Sequence, residues 1–484
     1  MRTIIIFNDT MKRNYLTPYN PNSDVIAPNL TAFSHDSVTF DNHFVGSMPC
    51  MPARRDLMTG RLNFLERSWG PIEIYDQTLP ELLFKSGIRS HIITDHAHYF
   101  RLGGENYCQA YNTFEFFRGQ ESDQWVSLID DPAMPTDYFG LVKRQYECNR
   151  IRFKEEKDYP SVKCFAAAKR WIQENKNAQD FLLTIETFDP HEPFDLPQKY
   201  LDLYQDNYTG PRFDLPKYHQ ISEETPEAIN HLVKRYKGLV TMTDKHFGSF
   251  IDELKKNHMY DDTMIIVTTD HGFFLGERQL LGKSFMHSYN EIANIPLMIH
   301  LPKHAFHGER RRAITQNIDI MPTILDYAGI NQPEACTGRS LRSVFENDRG
   351  RPYALYGTFG AALNFFNGQY TYFKAPDYTK PLFEYTTALT TIRGWLGKNQ
   401  ADQIQLGHFL PHVPYPVYRV PAANNALISD FRYLQKSLLF DIQNDYEQQN
   451  DLLSKNDCTV FDRLLRSALK ENNAPCELID RFKL

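Results

Sequence analysis

The 484-residue sequence predicts an α/β fold: a large mixed, mostly parallel sheet sandwiched by helices, followed by a smaller C-terminal α+β unit on an antiparallel sheet. Three observations carry that expectation. Continuous apolar runs at residues 3–7, 88–94, 181–186 and 263–269 each stop at polar residues, the pattern of strands buried on both faces. Helix-like stretches lie between them, so strand and helix alternate as the crossovers of a parallel sheet require. Beyond about residue 350 the runs 353–359 and 370–374 read instead as antiparallel strands. Single cores stop growing at roughly 250–300 residues, so the expected division is residues 1–350 and residues 351–484.

Taken in order, the run 3–7 ends at Asn8-Asp9-Thr10. Ligands of open α/β sheets bind beyond the carboxyl ends of strands, which places Asp9 for a metal or substrate; an Asp there also serves as a turn cap. Pro28 starts a helix over 27–33, the run 38–44 delivers the chain to Cys50, and Gly60 stops the helix that follows. A thiol at such a loop-to-helix junction, beside Arg54 and Arg55, is expected to face outward and to have a depressed pKa. Residues 78–87 carry a helix start and a glycine stop, and the strand to residue 94 ends at Asp95-His96-Ala97-His98. His96 and His98 could donate hydrogen bonds to a tetrahedral oxyanion or form a solvated turn.

Residues 101–160 show weak periodicity and read as a long loop excursion of the kind that shapes specificity. An amphipathic helix over 161–175 precedes the strand 181–186, after which His191 stands between Pro190 and Pro193. A histidine held that rigidly suits a general acid or an anion contact. A long helix over 227–256 leads to the strand 263–269 and to Asp270-His271-Gly272, an oxygen and nitrogen donor set for a divalent cation. Lys283 follows closely, and the proline-rich residues 411–421 read as loop.

Composition narrows the function class. The net charge of −7 comes without a long basic block, which argues against nucleic acid or an anionic membrane as partner. Seven scattered cysteines, an odd number, do not make a disulfide framework. No apolar run approaches the roughly 20 residues of a membrane helix, and Met1 runs almost directly into a strand without a leader pattern. A cytoplasmic enzyme is the simplest expectation. The 27 Tyr and 34 Phe gather partly at 99–117 and 353–440, where they are expected to anchor loops rather than to line a pocket.

Met48-Pro49-Cys50-Met51-Pro52-Ala53-Arg54 contains Cys-x-Pro-x-Arg, which resembles the recognition pattern of the sulfatases. The likeness continues through His191-Glu192-Pro193-Phe194, Asp270-His271-Gly272, Leu275-Gly276-Glu277, Gly282-Lys283 and Ile295-Pro296-Leu297-Met298-Ile299, and on through 319–325 and 440–452. By these motifs the chain is identified as a member of the sulfatase branch of the alkaline phosphatase superfamily. It departs from the family pattern at Asn8-Asp9, where Asp-Asp is usual, and at His96-x-His98, where Lys-x-His is common.

The resemblance implies a sulfuric ester hydrolase acting on a small-molecule or saccharide sulfate ester. Cys50 would be converted to formylglycine by a formylglycine-generating enzyme, and the hydrate of that aldehyde would attack sulfur. Arg54 would steady the alkoxide, while Lys283 and His191 neutralise the transferring group or protonate the leaving oxygen. Asp9, Asp270 and His271 would hold one divalent metal ion, calcium first, with magnesium or manganese also suited to the donors. Three other readings stay open: a phosphonate monoester or phosphodiester hydrolase with the same site, a metal-binding protein without turnover, and a thiol-dependent hydrolase.

Overall fold

The structure is a computed structural model that describes residues 1–104, 106–391, 394–422 and 434–484. Its main sheet has eight strands in the order Arg310–Arg311, Val38–Phe40, Leu297–His300, Thr263–Thr268, Arg2–Asn8, Phe181–Thr187, Arg89–Thr94 and Thr113–Phe116. Arg2–Asn8 is central and parallel to both neighbours, with Arg2 opposite Phe181 and Thr263, so the three carboxyl ends finish at one edge. Leu297–His300 is the antiparallel member that makes the sheet mixed.

Alternation along the central strand builds two helical layers. Ile4 and Ile6 pack with Phe165 of the helix Pro160–Glu174 and Leu239 of the helix Pro226–Lys256. Ile5 and Phe7 face the other way, against Met51 and Leu57 of the helix Cys50–Thr59, Leu83 of Leu79–Lys85 and Ile324 of Ile320–Tyr327. The helix that begins at Cys50 is therefore fixed on the sheet by its apolar residues, which leaves Arg54 and Cys50 to point along the sheet edge.

A second sheet runs Leu438–Asp441, Tyr370–Lys374, Leu363–Phe366, Ala354–Thr358 and then Ser47–Met48. The first four pair antiparallel, as expected past residue 350, but Ser47–Met48 joins in parallel to Ala354–Thr358 from the N-terminal part of the chain. The hydrophobic clusters follow suit, since Phe44 and Met48 pack with Tyr356 and Phe366, and Leu62 and Phe64 with Leu355 and Phe365. The C-terminal sheet thus holds the two residues that lead into Cys50.

Three local expectations are revised. The single strand foreseen at 38–44 is two short ones, Val38–Phe40 and His43–Phe44, with a third, Ser47–Met48, after them, each in a different sheet, because the chain must cross from the main sheet to the C-terminal one before Cys50. The excursion 101–160 contains Thr113–Phe116, a short edge strand parallel to Arg89–Thr94. The proline-rich stretch 411–421 ends in the strand Val417–Pro421, where Pro421 falls at the strand terminus, a place that tolerates a missing N–H. All seven cysteines are free thiols, and no helix among the described residues is long and apolar enough to cross a membrane.

Candidate active site

The carboxyl edge of the main sheet assembles the residues singled out above. Asp9 leaves the central strand with its N–H bonded to the Thr187 carbonyl at 2.9 Å. Asp270 and His271 leave the neighbouring strand Thr263–Thr268, and Cys50 arrives from the helix on one face. The donor atoms of Asp9, Cys50, Asp270 and His271 all lie within 4.8 Å of one another and are buried. Cys50 Sγ is 3.4 Å from His271 Nε2 and 3.7 Å from Lys283 Nζ. Glycine at 272 is demanded by space rather than by backbone angle, since a Cβ there would sit 1.9 Å from the Glu291 carbonyl oxygen.

The pair Asp9 and Asp270 is organised by a residue that the sequence did not single out. Thr10 donates its N–H to Asp270 Oδ1 at 2.9 Å and its hydroxyl to Asp9 Oδ1 at 2.7 Å, and its hydroxyl also accepts from Lys283 Nζ at 3.2 Å. To do so it adopts φ 63°. A β-branched residue in the left-handed region is strained by about 1–3 kcal/mol, a cost that persists where the surroundings dictate it. Tyr236, donating its hydroxyl to the Thr10 carbonyl at 2.8 Å, is one of those constraints. Asn8, by contrast, accepts from the Thr187 hydroxyl at 2.8 Å and serves strand pairing.

Arg54 is spent on carboxylates. It donates to Asp9 Oδ2 at 2.8 Å, to Asp270 Oδ2 at 2.9 Å, to Glu186 Oε1 and to the carbonyl of Cys50 at 3.0 Å. Four of the five guanidinium N–H donors are therefore committed, none of them to the Cys50 side chain. Glu186, the last acidic residue of an otherwise apolar strand, is held from its other oxygen by Thr94 at 3.0 Å. A charged residue inside a run such as Phe-Leu-Leu-Thr-Ile-Glu was the signal available for it in the sequence.

The electrostatics revise the expectation for Cys50. Its side chain is buried, 1% exposed, rather than facing outward. Burial pushes the thiol pKa up and the Asp9 and Asp270 carboxylates push it further, against Lys283 and Arg54. The helix N-terminus and the arginines predict the opposite sign, because neither the burial nor the two carboxylates from other strands is local in sequence. Burial likewise raises Asp9, with Asp270 adding to it. For Asp270 burial acts in the same direction but is outweighed by His271, Arg54 and Lys283, so it is the anionic partner. Burial lowers His271 to about 3.

The residues present fit a divalent cation. His271 Nδ1 bonds the Gly272 carbonyl at 2.9 Å, which assigns the proton to that nitrogen and leaves Nε2, 3.3 Å from Asp270 Oδ2, as the lone-pair donor. Two carboxylates and one imidazole nitrogen converge there, a donor set that a divalent cation takes. His96 lies beside this cluster and not in the cavity wall, with Nε2 3.6 Å from Asp9 Oδ2 and both ring nitrogens buried without a hydrogen-bond partner. The substrate-side place expected for it belongs to His98 alone, which lies within the turn Ala97–Phe100 and lines the cavity, its ring 4.8 Å from that of His96.

Above Cys50 opens a cavity of about 1140 Å³. Cys50, Lys283 and His191 line its inner end, and Trp69, Phe100 and Phe116 are among its walls. Phe100 and Phe116 stack at 4.0 Å, so the aromatics of 99–117 divide between the core, as with buried Tyr99 and Tyr107, and the pocket. Lys283 stays charged, its pKa raised against burial by Cys50, Glu192, Asp9 and Asp270. His191 is neutral, lowered by burial and by Lys283, and its Nδ1 bonds the Glu192 carbonyl. His98 is lowered by burial to about 4 and contacts Glu121 at 3.3 Å. Glu121 also pairs with Lys143, and both line the cavity, a link with no mark in the sequence.

A family model described as Sulfatase matches residues 2–330. A choline-sulfatase of Rhizobium meliloti is 26% identical over 356 residues, an alignment that covers 66% of each chain, just under two thirds of that enzyme. A protein solved in complex with its substrate D-glucosamine-2-N,6-O-disulfate superposes with a TM-score of 0.67 at 16% identity, covering 97% of this chain and 98% of that one. A phosphonate monoester hydrolase of Agrobacterium radiobacter superposes with a TM-score of 0.66 at 18% identity, covering 98% and 95%. At these identities the two superpositions speak for the fold.

Proposed function

This chain belongs to the sulfatase family, a sulfuric ester hydrolase by that membership, and we propose that it cleaves the sulfate ester of a bulky organic molecule, such as a saccharide, at a centre built on Cys50. The observation that carries the reading is the convergence of Asp9, Cys50, Asp270, His271 and Lys283, with Cys50 and Lys283 opening onto one large cavity. A volume of about 1140 Å³ exceeds what a sulfate group alone needs, and aromatic walls suit the apolar faces of an organic moiety. Residues 351–484 act as the smaller unit that completes the cleft, with Gly394 reaching the cavity wall.

Asp9, Asp270 and His271 are proposed to hold one divalent cation, calcium by likeness to the family or else magnesium or manganese, which a nitrogen ligand favours somewhat over calcium. Bound there, such an ion supplies Lewis acidity toward the sulfuryl oxygens. Conversion of Cys50 by a formylglycine-generating enzyme would give position 50 an aldehyde hydrate, whose two hydroxyls divide attack from release as no thiol can. Thr10 fixes the two carboxylates, and Arg54 acts as a positioning residue that orients them and the start of the Cys50 helix. Lys283, held by Thr10 at 3.2 Å, places a fixed positive charge where the transferring group gathers negative charge.

His191 and His98 are proposed to serve the substrate from the wall. With Nδ1 committed to the Glu192 carbonyl, His191 turns Nε2 outward as a base in the free enzyme. An anionic ester beside it raises its proton affinity, which equips it to hold the proton that the leaving oxygen needs. His96 stands beside Asp9, 3.6 Å from its Oδ2, and away from the cavity wall.

A phosphonate monoester or phosphodiester hydrolase is the second reading, favoured by the fold shared with the phosphonate hydrolase and by a donor set that serves phosphorus as well as sulfur. Matched aryl sulfate and aryl phosphonate substrates separate the two. The expected result is a higher kcat/KM for the sulfate, loss of turnover after chelation, and recovery with calcium, magnesium or manganese. A higher kcat/KM for the phosphonate would replace the first reading with the second, and indifference to chelation would remove the metal from both.

A further inference from the structure

A second donor cluster lies at the opposite edge of the main sheet. Asp36 follows the helix Pro28–His35, and His304 and His307 lie in the turn after the strand Leu297–His300; their donor atoms are within 4.8 Å of one another. These positions precede Val38–Phe40 and follow the antiparallel Leu297–His300, so they sit at the amino ends of the parallel strands, away from the cavity. We infer that Asp36, His304 and His307 form a separate metal site for zinc or another late first-row divalent ion, one that fastens the 301–310 turn to the end of the Pro28–His35 helix.

The donor chemistry selects the ion. Two imidazoles and one carboxylate suit zinc, cobalt, nickel or copper, whereas calcium and magnesium prefer oxygen alone. Asp261 accepts from His304 Nε2 at 3.1 Å, the outer carboxylate that commonly orients a ligating histidine, and this commits Nε2 and leaves Nδ1 for the ion. Beneath the pair lies His300, fully buried, with Nδ1 on the Thr263 carbonyl at 2.9 Å and Nε2 without a hydrogen-bond partner. Its ring is 5.2 Å from that of His304.

The backbone is bent to make this arrangement. Lys303, His304 and Phe306 have φ of 61°, 54° and 57°, three non-glycine residues in the left-handed region within four positions. Nearby Gly308, at φ 69°, closes the turn without strain. Ligands on two segments joined by one ion would offset that conformation, since a ligand that binds only the folded chain stabilises it. A site at the amino ends of the strands, far from the reacting groups, acts as a structural clasp and leaves turnover alone.

Equilibrium dialysis against zinc in the presence of excess calcium, followed by metal analysis, tests the site on the full chain. Wild type is expected to retain one more zinc per chain than the His304→Gln/His307→Gln double variant, with hydrolase turnover the same in both. The single variant Asp36→Asn, on the other segment, should lose the same equivalent and stands in if the double variant does not fold. Equal zinc content in wild type and variants would overturn the inference. So would zinc lost in the histidine variant but retained in Asp36→Asn, which would mean surface imidazoles binding on their own.

Discussion

Replacing Cys50 with alanine is expected to lower turnover by roughly 10⁵-fold or more, the scale of losing a nucleophile, while the protein stays folded. The side chain removed is small and its place in the helix Cys50–Thr59 suits alanine, which has the highest helix propensity. The local fold has other anchors. Asp56 accepts from the Ser47 N–H at 2.6 Å, the Ser47 hydroxyl at 2.7 Å, and the Asn63 N–H and side-chain amide at 2.9 Å each, and this fixes the approach to position 50 independently of its side chain. Steady-state assays beside urea unfolding check both halves. Near wild-type turnover in Cys50→Ala would remove Cys50 from the chemistry altogether.

Arg54→Leu is expected to cost about 3–5 kcal/mol of stability, the range for breaking a buried ion pair from one side. Asp9, Asp270 and Glu186 are each no more than 2% exposed and all three use Arg54. Leucine fills part of the volume over the Phe7 ring, where the guanidinium now lies 5.1 Å away, but it satisfies none of the three carboxylates. The damage falls on two of the proposed metal ligands, Asp9 and Asp270, so turnover should be lost along with stability. Urea unfolding of the variant measures the first effect; a change under about 1 kcal/mol would mean that the carboxylates find other partners.

Most of the candidate site is legible because it is built from strand ends. Asp9, Asp270 and His191 each follow an apolar run, and the register that puts Arg2 opposite both Phe181 and Thr263 brings such ends to one edge. Lys283 was found by motif alone. What the chain did not disclose depends on partners distant in sequence: Thr10 looks like an ordinary turn residue until Asp270 lies 2.9 Å from its N–H, and Glu121 is an unremarked loop acid until His98 and Lys143 meet it. The sign of the Cys50 shift failed for a related reason, as burial by the folded chain, helped by two carboxylates from other strands, outweighs the local helix and arginine effects. Thr113–Phe116 escaped notice because a short, half-exposed edge strand has no continuous apolar run.

Cys50 is proposed as the precursor of the nucleophile and not as the nucleophile itself. A thiol buried beside Asp9 and Asp270, with its pKa pushed up, is poorly prepared to attack unaided. A thiol-dependent hydrolase would need it ionised, and a binding protein without turnover would need nothing of it. Mass spectrometry of the Cys50 peptide from enzymatically active protein, purified from its native host, decides among these. The account predicts formylglycine at position 50 in a fraction that tracks specific activity across preparations; an unaltered cysteine throughout an active preparation would contradict it.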